Sequence, residues 1–179
     1  MQILVAGLGR FGRNLAVTLA HVGHDVIAVD MSDHVVQDIA HDIQTAVCGD
    51  ATDEEVLREI GAQDIQLAIV AMAEIEASVL ITTHLKNLNV PLVYAKASSD
   101  IHRTILERVG ADRVIFPEQE IAVRLAQSIE APSGMEYVDL LPHLGIAQIH
   151  AGKNFVGQSL AGLDLRAQHD ATVLAIKRG

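Results

Sequence analysis

Short apolar runs alternate along this chain with longer stretches in which apolar positions recur every three or four residues. "QILVA", Gln2 to Ala6, is the first run; it ends at a glycine and predicts a strand. Phe11, Leu15, Leu19 and Val22 then recur at helical spacing, and Gly23 stops that helix. The pair of signals repeats. Asp25 to Asp30 predicts strand two, and a helix capped by Ser32 or Asp33 runs to Ala40. Gln44 to Cys48 predicts strand three. Thr52, as cap, precedes Asp53, Glu54 and Glu55, carboxylates that suit the positive end of a helix closing at Gly61. Leu67–Ala71, Pro91–Lys96 and Val114–Phe116 predict strands four to six. Ser78–Leu88, Asp100–Gly110 (Asp100 as cap) and Glu118–Ile129 predict helices, the last with Ile121, Leu125 and Ile129 on one stripe.

Strand and helix thus alternate six times. That places the chain in the α/β class, as a Rossmann-like doubly wound parallel sheet spanning residues 1–130. The pattern then changes. "EAPSGM" has the composition of a linker, placed at 131–136. Residues 137–179 predict a small, incomplete α+β lobe. Its strands are Tyr137–Leu141, Ile146–His150 and Thr172–Lys177, with a short helix over Gln158–Leu163. About forty residues make a poor independent core, so this lobe is expected to lean on another chain or to be part of a larger one.

Composition sharpens this picture. The chain of 179 residues is 50% hydrophobic, yet only 3% aromatic and without Trp. Its core must be built from Val, Ile, Leu and Ala, as in parallel strands buried on both faces. A net charge of -10 argues against nucleic acid as a partner. Cys48 is the single cysteine, which excludes a disulfide within one chain and fits a reducing cytoplasm. The first residues read as a strand and not as a secretory leader. Ile65 to Leu85 looks membrane-like until Glu74 and Glu76 are noticed in its middle. An acidic residue at a bilayer centre costs roughly 2.5–3.5 kcal/mol, so a strand running into a helix is the better reading.

The chemistry begins at Gly7-Leu8-Gly9-Arg10-Phe11-Gly12, after a strand and at the head of a helix. In that context Gly7 permits a tight turn, Gly9 admits a pyrophosphate, and Gly12 lets the helix pack closely on the sheet. The helix N-terminus offers free N–H groups to phosphate. Asp30, closing strand two, would accept ribose hydroxyls and repel a 2′-phosphate. Arg10 stands where the helix dipole disfavours a cation, which favours a phosphate-binding role for its guanidinium. Asp50, Ala51 and Thr52 lie on the ligand edge after strand three. There Asp50 and Thr52 could meet adenine or ribose. Lys96 could face phosphate, and Glu118 could hold a divalent cation or favour a helix start. No catalytic constellation accompanies them. Tyr94 and Lys96 stand two apart on a strand, whereas a short-chain dehydrogenase pair needs helical spacing. The nine histidines form no zinc pattern and read mostly as surface residues of amphipathic helices. No Ser-His-Asp set or Walker loop appears.

"GLGRFG", "AVD", "GDATDEEVL", "LVYAKA" and "ERVGADRVIFPE" together resemble the RCK (KTN) domains, cytosolic regulators of potassium channels and of Ktr- and Trk-type transporters. "FVGQSLAGLDLR" is similar to the opening of that family's C-terminal lobe. The resemblance implies a regulator and not an enzyme. ATP and ADP would compete for the cleft, with NAD or NADH as the alternative ligand. The domains would pair through their late helices into an octameric ring beneath a potassium-translocating membrane subunit, on the cytoplasmic face. Arg10 would then contact outer phosphates, Asp30 the ribose, and Asp50 and Thr52 the adenosine side. Glu118 would bind Mg2+ or Ca2+. Lys96 matches the family's lysine. Two departures stand out. Phe116 occupies a position where the family often has histidine, and the family's C-terminal lobe continues beyond "VLAIKRG". In some members that lobe binds cyclic di-AMP, for which Arg166 would be the phosphate contact here.

Overall fold

A computed structural model of the chain describes residues 1–130, 136–141, 144–148 and 151–176. It divides into two units, Met1–Ile121 and Ala122–Gly179. In the first unit six parallel strands pair in the order β3-β2-β1-β4-β5-β6. They are β1 (Gln2–Ala6), β2 (Asp25–Asp30), β3 (Thr45–Cys48), β4 (Leu67–Val70), β5 (Leu92–Lys96) and β6 (Arg113–Ile115). The intervening helices are α1 (Arg10–His21), α2 (Asp33–Ile39), α3 (Glu54–Glu59), α4 (Ile75–Asn87) and α5 (Asp100–Arg108). A single 3-10 turn, Ala62–Asp64, precedes β4. The expected doubly wound sheet is present, and its order reverses between β1 and β4, where such sheets open a ligand crevice.

The sequence pattern explains the layers. Alternate residues of each strand point to opposite faces. Leu4, Ala6, Ile27 and Val29 enter one core with Leu57 of α3, Ile81 and Leu85 of α4, and Leu106 of α5. Ile3, Val5, Val26 and Ala28 enter the other, with Ala16 of α1 and Val36 and Ile39 of α2. Strands buried on both faces must read as unbroken apolar runs, as these do. Each fully buried Leu or Ile contributes about 1.5–3 kcal/mol.

Several local expectations change. Ser32 stands at the N-cap of α2, as read in the sequence, but two other caps are one residue away from those expected. Asp53, not Thr52, caps α3 by accepting the Glu55 N–H at 2.9 Å. Ser99, not Asp100, caps α5 through the His102 N–H at 3.2 Å. The fourth helix starts three residues before Ser78, and α6 (Pro117–Glu130) opens on its proline, which has no N–H to lose at a helix start.

In the second unit β7 (Glu136–Leu141) and β8 (Leu144–Gln148) form an antiparallel hairpin, irregular between Asp139 and Leu141. Thus Glu136 belongs to a strand and not to a linker; 131–135 lie outside the described residues, as do 149 and 150 of the expected second strand. Two short helices follow, α7 (Leu160–Leu163) and α8 (Leu165–His169), where one was expected. The strand expected at Thr172–Lys177 is not formed over 172–176, and Lys177 is outside the described residues. Among the described residues no strand pairs with this apolar alternation to complete a ladder.

Candidate functional site

The glycine turn follows β1, and each glycine answers a distinct local demand. Gly7 has φ +93°, a left-handed conformation, and its N–H donates to the Val29 carbonyl at 2.9 Å. A side chain on Gly12 would overlap the Gly7 carbonyl oxygen and come within 3.0 Å of Ala71 Cβ, so α1 can lie this close to the turn only through glycine. Gly9 caps α1 without any side-chain bond, and a Cβ there would meet nothing within 4 Å. The N-terminus of a twelve-residue helix therefore faces open space, with its first N–H groups available to an anion.

Asp30 is tied into that turn. Its Oδ2 accepts the Leu8 N–H at 2.7 Å and its Oδ1 accepts the Ser32 N–H at 2.9 Å. Each carboxylate oxygen retains accepting capacity for a ribose hydroxyl. Arg10 is exposed in the first turn of α1, with no hydrogen bond or ion pair among the described residues. Phe11 is half-buried against the α1–α2 core.

On the next loop, Asp50 Oδ1 accepts both the Thr52 hydroxyl at 2.7 Å and the Thr52 N–H at 2.9 Å. These bonds, the hydroxyl's first, hold the Asp50 carboxyl below its usual range. Ala51 is buried, and the Gly49 N–H joins this loop to the Asp30 carbonyl at 3.0 Å. Lys96, at the end of β5, lies 2.6 Å from Glu118 Oε1, with its ammonium 5.9 Å from the Phe11 ring centre. The Lys96 hydrogen bond lowers the Glu118 pKa. Both side chains are thus engaged with each other. Among the described residues no group of three His, Cys, Asp or Glu could hold a metal ion, so the cation expected at Glu118 gains no further ligand there. A cavity of about 540 Å³ adjoins the pair, lined by Lys96, Ser98, Ser99, Asp100, Phe116 and Glu118 among others. The Arg103 guanidinium stacks on Phe116, 4.3 Å from the ring centre.

Sequence reasoning missed the polar group behind this wall. His102 is fully buried, not a surface histidine, and bonds to Ser78 and Ser98. Its only sequence signal is a helix-start position beside Ser98 and Ser99. Arg166 lines a separate cavity of about 270 Å³ in the second unit, with Asp164, Leu160 and Thr172.

A turn of this form, an acidic strand end beside it and an open helix N-terminus at a switch point define a dinucleotide-type, Rossmann-like nucleotide fold. Residues 3–117 match the TrkA-N domain model, and the chain belongs to the TrkA-N family. It is 38% identical over 177 residues to Ktr system potassium uptake protein A of Bacillus subtilis (strain 168), covering 98% of this chain and 80% of that protein. It is 37% identical over 179 residues to Ktr system potassium uptake protein C of the same organism, covering 99% of this chain and 81% of that protein. Among solved structures, the TrkA-N domain of the inner membrane protein ybaL from Escherichia coli superposes with TM-score 0.66. It is 22% identical and covers 72% of this chain and 96% of that one. GsuK bound to ADP gives TM-score 0.62 at 25% identity, over 72% of this chain and 34% of that one. The GsuK channel bound to NAD gives 0.63 at 19%, over 77% and 25%. The expected RCK (KTN) kinship therefore holds. Among the described residues no helix is long and apolar enough to cross a membrane.

Proposed function

We propose that this chain is the nucleotide-sensing, cytoplasmic regulatory subunit of a potassium channel or transporter, and that ATP and ADP compete at the Gly7–Gly12 cleft. The observation that carries this reading is the open α1 N-terminus at Gly9, with Asp30 already latched to Leu8 beside it. Kinship to Ktr potassium uptake proteins supports the potassium role. Arg10, exposed and unengaged among the described residues, would meet the outer phosphates. Asp50 and Thr52 would meet the adenosine side. The apolar positions Ile121, Leu125 and Ile129 are exposed along α6, which supports pairing of copies as the first step towards a ring under a membrane subunit.

NAD or NADH is the second reading, favoured by the GsuK channel bound to NAD and by Asp30, which serves either ribose. Both readings are regulatory. The Ser78–His102 contact makes no nucleophile, because both groups are fully buried and Nδ1 accepts the Ser98 N–H, which leaves the proton on Nε2. That imidazole cannot take a proton from Ser78.

A melting scan against ATP, ADP, NAD and NADH tests the proposal. A ligand at a hundred times its Kd stabilises by about 2.7 kcal/mol, a rise of roughly 5–10 °C for a chain of this size. No shift with any of the four overturns it. Arg10→Ala provides the finer prediction. Losing a charge-assisted bond, it should weaken ATP roughly 10–100-fold and leave adenosine unchanged. Isothermal titration with both ligands checks this; equal losses would remove Arg10 from the phosphate role.

A further inference from the structure

His102 occupies the third position of α5 and is fully buried, yet none of its atoms lines the nucleotide cleft described above. Its bonds define its protonation state. The Ser98 N–H can only donate, and it reaches Nδ1 at 3.2 Å, so Nδ1 must present a lone pair. Nε2 therefore carries the proton and donates it to Ser78 Oγ at 2.6 Å. The Ser78 hydroxyl in turn donates a hydrogen bond to the Ile75 carbonyl at 2.9 Å. The result is a closed chain of donors and acceptors running from the β5–α5 loop through α5 into the first turn of α4.

This chain tolerates only a neutral imidazole. A second proton, on Nδ1, would face the Ser98 N–H. The Ser98 hydroxyl, also 3.2 Å from Nδ1, can rotate to accept it, but the backbone amide cannot and would be left unpaired. Uncharged groups face the ring: Ser78 from α4 and Ser98 from the loop. The charged or titratable residues of the surrounding elements are Glu74 and Glu76 at the head of α4 with His84 and Lys86 in its last turn, Lys96 on β5, Asp100, Arg103, Glu107 and Arg108 on α5, and Glu118, Glu120 and Arg124 on α6. None bonds the imidazole; Lys96 pairs with Glu118 and Arg103 stacks on Phe116. Among the described residues no counter-ion bonds the ring to welcome a charge. Burial accordingly lowers the His102 pKa below its ordinary 6.5.

The loop that His102 holds is one wall of the 540 Å³ cavity, through Ser98, Ser99 and Asp100. We propose that His102 is the positioning residue of that wall: neutral, it clamps the β5–α5 loop against α4, and protonated, it releases Ser98, so that the geometry beside Lys96 follows pH. Release of the loop stands without any ligand; its effect on nucleotide affinity rests on the function proposed above. The sign follows from linkage. The open loop binds the proton more readily than the closed one, so closure is complete above about pH 6.5 and weakens as pH falls towards the lowered pKa.

Hydrogen exchange and imidazole nitrogen NMR on the full chain, from about pH 7.5 downwards, provide the test. At neutral pH the ring should show the single Nε2–H tautomer. As His102 takes up its proton, Ser98 amide protection, corrected for intrinsic exchange, should fall by up to about tenfold per pH unit. Val93 and Ala95 of β5 should keep theirs. Three outcomes overturn the proposal: Ser98 protection unchanged while His102 protonates, loss at Val93 and Ala95 in step with Ser98, or no protonation of His102 before the chain unfolds. His102→Gln offers a non-titrating amide that can accept from Ser98 and donate to Ser78, and its Ser98 protection should be independent of pH. If that variant does not fold, the wild-type titration decides alone. ADP titrated into both proteins at each pH reads the coupling, since the variant cancels the titration of the phosphate itself. Wild-type affinity should fall with Ser98 release relative to the variant, and parallel curves would overturn the coupling. ADP that binds at no pH defeats the proposed function and leaves the loop measurement intact.

Discussion

A Gly12→Ala chain is expected to lose about 3 kcal/mol of stability, the upper part of the range for overpacking, and with it about 6–12 °C of melting temperature. The added methyl would overlap the Gly7 carbonyl and press on Ala71 Cβ. Neither is the free end of a flexible side chain, so α1 must move off the turn. Nucleotide binding should vanish with it, because the helix N-terminus is then no longer aimed at the cleft. Gly9→Ala makes the contrast. Its Cβ meets nothing within 4 Å, and exchanging glycine for alanine at a cap costs about 1 kcal/mol or less. That variant should melt close to the wild type yet fail to bind ATP or ADP, since the methyl occupies the phosphate's approach. Urea unfolding and a ligand melting scan on both proteins check the pair. Normal ATP binding by Gly9→Ala would move the phosphate site away from this turn.

Asp30→Asn is expected to weaken ADP by about 2 kcal/mol, roughly 30-fold. One carboxylate oxygen becomes an NH2 group, which must confront either the Leu8 or the Ser32 amide, both donors. The turn loses one of its latches and the ribose loses an ionised acceptor. Adenosine should weaken with ADP here, unlike the response to Arg10→Ala, because the ribose is common to both. Calorimetric titration distinguishes the two variants. ADP affinity within about twofold of the wild type would remove Asp30 from the ribose.

Much of this is legible in the sequence. The buried strands were plain because strands covered on both faces, such as Ile3–Ala6 and Val26–Val29, must be apolar throughout. The glycines were legible because their demands are local. Helix starts were less so. Thr52, Asp53 and Asp50 are all capable caps, and only the folded loop decides among them: Asp50 holds the Thr52 hydroxyl and N–H while Asp53 accepts the Glu55 N–H. The engagement of Lys96 with Glu118 joins residues 22 apart, which no local pattern announces. His102 was hidden for the same reason: Ser78 reaches it from another helix, 24 residues earlier. The strand expected over Thr172–Lys177 failed in the opposite way, with a convincing pattern but, among the described residues, no strand paired with 172–176.

The latch between Asp30 and Leu8 also bears on speed. Both oxygens are already hydrogen-bonded within the chain itself, so the turn does not have to be assembled when a ligand arrives. Little ordering remains to slow association, and differences between ligands will then be expressed mainly in how long each one stays. On the proposed reading of ATP and ADP levels, the site must empty as promptly as it fills. A preformed turn with the exposed Arg10 at its lip meets the filling half of that demand and leaves residence time to the contacts each ligand's own phosphates make.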